Sequence, residues 1–210
     1  MMPSKRVPRR GITVLNFGDK FTFFGQEREY YSTNSLSGFM MGKYLDPYTY
    51  GSNGESGSND MINQNGDYPT TRLNLPLMRY AEMLLFKAEA LLMTGRNSDA
   101  AEPLNEIRNR VGLPIISNPT LADLKHERRV ELACEWTDRV ADLKRWGDFD
   151  YLRMALHGRD HVRKTDPHSD YKVIEVWPAR NFDPNKHMAW PINPDEIAKS
   201  NGVYKQTPGW

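Results

Sequence analysis

One stretch limits this chain more than any other. Residues 75–95 read LPLMRYAEMLLFKAEALLMTG. At helical spacing, Leu77, Ala81, Leu84, Ala88 and Leu91 form one apolar stripe, and Met83, Phe86, Ala90 and Met93 form a second. A helix that is apolar on two sides has to be sandwiched between other elements. Asn74 and Pro76 supply a start and Gly95 a stop. Asp99 with Glu102 reads as a capping box for the next helix, with Pro103 in its opening turn. Ala100, Leu104, Ile107 and Val111 continue as a stripe that Gly112 and Pro114 close. Small residues at Ala81, Ala88 and Ala100 let the two helices approach closely.

This order of small residues, Leu, Gly and an Ala-rich second helix resembles a tetratricopeptide hairpin. Helical repeats bury both faces only by stacking on neighbours, and one copy is legible here. The hairpin is therefore expected to be a piece of a larger scaffold.

Three zones follow from the pattern: 1–72 irregular and β-leaning, 73–157 helical, and 158–210 loop-rich. Phe17, Asp19, Phe21 and Phe23 alternate as in a half-buried strand, and YKVIEVW is a second strand candidate. Ten of the 23 aromatic residues fall between Phe17 and Tyr50, too many for a disordered linker. GSNGESGSND and INQNG mark a long loop, a length at which loops are often functional. Near the end, Asn193, Pro194 and Glu196 read as N-cap, N1 and N3 of a short helix that stops at Asn201-Gly202. Trp136 and Trp146 are expected in the core, and Trp190 and Trp210 are expected to pack onto the scaffold.

Composition removes several functions. The net charge is +1, with cations dispersed among acids, so nothing points to nucleic acid. The one cysteine, Cys134, excludes an internal disulfide and a multi-cysteine zinc site, and it reads as a small buried hydrophobe. His157, Asp160, His161, Asp166 and His168 crowd one polar stretch, but Gly158 breaks the helical spacing a metal pair needs, so no metal or cofactor is expected. No phosphate loop, nucleophile elbow or dinucleotide fingerprint is present. MMPSKRVPRR is followed by no apolar core of a signal peptide, so the sequence as it stands is expected to lack an export signal and an anchor.

Glu127, Glu131 and Glu135 stack at i, i+4 and i+8 in ERRVELACEW. The chemical reading is a glycosidase acid/base pair. The structural reading is an ion network with Arg128, Arg129, Arg139 and Arg79, joined by Glu82 and Glu89 across the hairpin. Arginine beside each acid keeps it ionised, whereas a general acid needs a raised pKa, so the network is favoured and no catalysis is expected.

LPLMRYAEMLLFKAEALLMTG, LNEIRNRVGLP, ERRVELACEW…DRVADLKRWGD and WPINPDEIAKSNGVYKQTPGW together resemble the C-terminal half of RagB/SusD-family proteins. The resemblance implies a mainly α fold: a tetratricopeptide-like hairpin scaffold with a loop-rich, minor-β C-terminal portion. It also implies non-enzymatic capture of glycan or other nutrients at the cell outer membrane, beside a TonB-dependent transporter, through a lipid anchor not found in this sequence. The chain is then expected to be a C-terminal fragment of a longer lipoprotein. WTDRVA departs from the family pattern, and a local helix adjustment is expected there. A plain helical-repeat adaptor for protein partners and a glycosidase are the competing readings. A glycan site wants exposed aromatic platforms beside amides and carboxylates, and KYLDPYTYGSNGESGSNDMINQNGDY supplies both. Tyr44, Tyr48, Tyr50, Asn65 and Tyr68 are the candidate ligand-binding residues.

Overall fold

The fold is described from a computed structural model, which describes residues 13–16, 18–23, 26–30, 35, 37–44, 74, 76–160 and 172–210. Two compact units result: 1–137 with 160–172, and 138–159 with 173–210.

The first unit is built on α1 (Tyr80–Met93), α2 (Asn97–Arg110) and α3 (Leu121–Glu131). Helix α1 packs on both α2 and α3. Their shared core is Ala81, Leu84, Leu85, Ala88, Ala100, Leu104, Ile107, Leu124 and Leu132, so the first apolar stripe of the hairpin is buried at Ala81, Leu84 and Ala88, with Leu91 partly buried against it. Gly95 and Gly112, both at positive φ, end α1 and α2. In each case the following amide reaches back to a carbonyl of the last turn, Arg96 to Leu91 and Leu113 to Arg108, which satisfies carbonyls the helix leaves open. Thr120 and Asp123 cap α3 reciprocally, as their spacing predicts.

Two starts differ from expectation. Helix α1 begins at Tyr80 rather than near Pro76, with Arg79 at the N-cap and no side-chain cap. Arg79 is instead drawn into an ion network. Helix α2 begins at Asn97, two residues before Asp99, because Arg96 donates to the Asp99 carboxylate and occupies it.

Short antiparallel pairs precede the helices. β1 (Val14–Asn16) pairs with β4 (Phe39–Met41), and β2 (Lys20–Phe23) pairs with β3 (Gln26–Glu29). Leu15 and Tyr30 are buried there. The chain leaves α3 after Glu131 and turns through Cys134, which sits at φ +63. This turn places Trp136 off any helix and 66% exposed, not in the core.

The second unit holds α4 (Arg139–Trp146), α5 (Asp150–Arg153), all but the end residues Asp160 and Lys172 of the pair β5 (Leu156–Asp160) and β6 (Lys172–Trp177), α6 (Pro184–His187) and α7 (Pro194–Lys199). Asp138 caps α4, and Asn193 caps α7 with Pro194 at its first position, as expected. Trp146 is half-buried between the guanidinium groups of Arg139 and Arg145 rather than in an apolar core. Trp210 packs on α6: its indole N–H donates to the Lys186 and Ala189 carbonyls, and the Lys186 ammonium lies 4.3 Å from the ring centroid. Trp190 is 85% exposed, against expectation. Its carbonyl is held by Thr207 and the Ile192 backbone by Gln206, which fixes the turn while leaving the ring outside. Among the described residues, no helix is long and apolar enough to cross a membrane.

Candidate functional site

The site grows from one buried carboxylate. Glu131, the last residue of α3, has a fully buried side chain, a position that is costly for an acid unless it is paired and hydrogen-bonded. Arg79 donates to its Oε1 at 2.7 Å and to its backbone carbonyl at 2.8 Å, and Arg110 donates to the same Oε1. Arg79 Nε reaches Glu135 at 2.6 Å, and Lys43 reaches the other Glu135 oxygen at 2.6 Å. Lys43 also donates to the carbonyls of Glu131 and Ala133, so the open C-terminal end of α3 is closed by two cations. Deeper along the helices, Arg128 pairs with Glu82 at 3.0 Å and Arg108 with Glu127 at 2.7 Å. Arg128 also lies over the Phe86 ring.

Burial pushes the Glu135 carboxyl up. The hydrogen bonds from Arg79 and Lys43, with their charges, outweigh it and hold the group below the usual carboxylate range. An acid fixed in its ionised form cannot deliver a proton to a leaving group, so the glycosidase reading loses its general acid at Glu135. The network expected from ERRVELACEW is present with altered membership. Arg79, Arg128 and Glu82 join it. Arg129 is exposed, and Glu135 sits beyond the end of α3 rather than one turn further along it. Lys43, Arg108 and Arg110 were not foreseen. RNR at the end of α2 looks in sequence like favourable charge at a helix C-terminus, and nothing local links Lys43 to residues some ninety positions away.

Of the candidate ligand residues, Tyr44 is described, and Tyr48, Tyr50, Asn65 and Tyr68 lie outside the described residues. Tyr44 is half-buried at φ +62. Burial raises its phenol pKa, the Glu135 charge adds to that, and Arg79 opposes it, so the hydroxyl stays protonated and able to donate. His157 lies on β5, while His161, Asp166 and His168 fall outside the described residues.

A second feature adjoins the network. A cleft of about 240 Å³ between the start of α1 and the end of α2 is lined by Arg79, Tyr80, Ala81, Leu84, Glu106, Ile107 and Arg110. Its floor is apolar and its rim carries polar groups.

Comparison with known proteins assigns the architecture. The SusD family model matches residues 2–210. The chain belongs to the SusD family. Formosa agariphila contains two similar proteins. SusD-like protein P38 is 39% identical over 83 aligned residues, covering 32% of this chain and 16% of that protein. SusD-like protein P2 is 29% identical over 146, covering 63% and 25%. A solved SusD-like protein from Bacteroides fragilis superposes with a TM-score of 0.74 at 27% identity, over 99% of this chain and 39% of its own. Surface glycan-binding protein A from Bacteroides thetaiotaomicron shares the fold at a TM-score of 0.57 and 24% identity, over 98% and 39%. The chain thus spans about two fifths of these solved relatives and a quarter or less of the Formosa proteins. Membership of the SusD family and the helix-rich, minor-β fold agree with the reading made from the four sequence motifs.

Proposed function

We propose that the chain is part of a surface protein that captures glycan for nutrient uptake without chemically altering it, and hands it to a TonB-dependent transporter in the outer membrane. The observation that carries this reading is the match of 98% of the chain to a fold found in proteins named for surface glycan binding. The network at Glu131 and Glu135 supports the non-enzymatic part, because Glu131 is salt-bridged to both Arg79 and Arg110, and Glu135 is held ionised with a cation on each oxygen. Tyr44, Tyr48, Tyr50, Tyr68 and Asn65 are proposed to meet the ligand, the rings against sugar C–H faces and the amide with hydroxyls.

Electrophoresis through gels containing neutral polysaccharides tests this reading. Retardation that weakens on changing Tyr48 and Tyr50 together to Ala, with helical circular dichroism unchanged, supports both the function and the loop. Retardation untouched by that double change moves the site elsewhere. Migration identical with and without every polysaccharide rejects glycan capture by this chain.

The adaptor reading keeps one observation in its favour. Met83, Phe86, Ala90 and Met93 line an exposed face of α1, and an apolar stripe of that kind suits a protein partner. It predicts association that polysaccharide does not disturb.

A further inference from the structure

We propose that the cleft between the start of α1 and the end of α2 is a binding subsite for one neutral sugar ring; the proposal rests on the glycan reading above. The floor is made by Ala81, Leu84 and Ile107, all buried in the core, so it is rigid and apolar. Tyr80, 67% exposed, adds an aromatic wall. Sugar rings present just such a need: C–H faces that stack on apolar and aromatic surface, edged by hydroxyls that both donate and accept.

The rim has the matching capacity. Arg110 spends one N–H group on Glu131, which leaves its Nε and Nη1 without hydrogen bonds among the described residues. Among the described residues the Tyr80 hydroxyl and the Glu106 carboxylate are likewise without hydrogen bonds. A carboxylate accepts from adjacent hydroxyls, and a guanidinium donates to their oxygens, so Glu106 and Arg110 together satisfy a vicinal diol in both directions. Arg110 is also held in place from behind by its bond to Glu131, so less freedom is lost when it grips a ligand. Arg79, by contrast, directs its Nε, Nη1 and Nη2 into the protein and serves as wall.

Charge decides the class of sugar. Arg79 and Arg110 are balanced by Glu131 and Glu106, and a uronate carboxylate entering the cleft would meet Glu106 directly. Neutral rings are therefore preferred over acidic ones. At about 240 Å³ the space is below the range of about 300–1,000 Å³ that holds a drug-sized ligand, which suits one ring and not an oligosaccharide. A single ring binds weakly, so retention of a polymer rests on many rings competing for the cleft and on other contacts along the same strand.

The test is affinity electrophoresis of the full 210-residue chain in gels containing xyloglucan, galactan or polygalacturonate, with wild type, Tyr80→Ala, Glu106→Gln and Glu106→Leu. Both positions are exposed and make no side-chain hydrogen bond among the described residues, so melting temperatures stay at the wild-type value. Tyr80→Ala and Glu106→Leu each weaken retention by a neutral polymer by about tenfold, and Glu106→Gln, which keeps an accepting oxygen, loses less. If wild type is retained and both variants stay within about twofold of it, the cleft is not a subsite while glycan capture stands. Retention by polygalacturonate above both neutral polymers overturns the charge argument and with it this site. If wild type is retained by none of the three, the subsite and the glycan reading fall together.

Discussion

Replacing Arg79 by Ala removes a side chain that hydrogen-bonds the carboxylates of both Glu131 and Glu135. The loss can be sized from its contacts. Three charge-assisted hydrogen bonds disappear: Nη1 to Glu131 Oε1, Nη2 to the Glu131 carbonyl and Nε to Glu135. Breaking a buried ion pair from one side costs about 3–5 kcal/mol, because the charge left behind is uncompensated. Here neither acid is left alone, since Glu131 keeps Arg110 and Glu135 keeps Lys43. Arg79 is itself about a quarter exposed, which lowers its own desolvation cost. The expected loss is therefore about 2–4 kcal/mol, below the upper part of that range. In a chain of this length that lowers the melting temperature by about 5–15 °C. Urea unfolding followed by circular dichroism measures it, with Arg96→Ala as control. That change removes an exposed pair with Asp99 and should cost less than about 1 kcal/mol. A midpoint for Arg79→Ala equal to the control would refute the reasoning and place Glu131 in contact with water.

Other outcomes follow from the same geometry. Glu131→Ala should destabilise by a similar amount, about 2–4 kcal/mol, read by the same urea midpoint. Glu135 is depressed in the folded state, so its contribution is complete above the ordinary carboxylate range and is lost as pH falls through its folded value. Urea midpoints taken between about pH 6 and pH 3 should drop more for wild type than for Glu135→Gln. Thr120→Ala removes a reciprocal cap and should cost about 1 kcal/mol, seen as a lower thermal midpoint with the helical signal at low temperature retained. Phe86→Glu places charge on the exposed stripe of α1 and should reduce self-association in light scattering; a monodisperse monomer in wild type at high concentration would contradict that stripe's role.

What the sequence revealed depended on how local each determinant was. The α1–α2 hairpin, the Thr120 cap and the Asn193-Pro194 start are set by residues within a turn of each other, and periodicity finds them. The same logic erred where another contact or a backbone turn overrode the expected preference. Asp99 has the spacing of an N-cap, but Arg96 takes its carboxylate. Pro76 has the chemistry of a helix start, but Arg79 is pulled toward Glu131 and the helix begins after it. Trp136 is expected in the core, but α3 ends at Glu131 and the positive φ at Cys134 turns the chain two residues before it. At the site, ERRVELACEW disclosed paired acids and their likeness to an ion network, because arginine at i±3 and i±4 is visible in one dimension. Lys43 and Arg110 were invisible, since their link to Glu131 and Glu135 is made only by the fold. The cleft was missed for the same reason: Tyr80 and Glu106 stand 26 positions apart and meet across two helices.

The central claim is capture of neutral glycan without turnover. Calorimetric titration of the chain with neutral oligosaccharides, followed by an assay of the recovered mixture for new reducing ends, tests both halves at once. The account predicts a saturable heat of binding and oligosaccharide recovered at its starting length. Reducing ends that appear with wild type and vanish with Glu131→Gln would establish a glycosidase and contradict it, as would the absence of any binding heat.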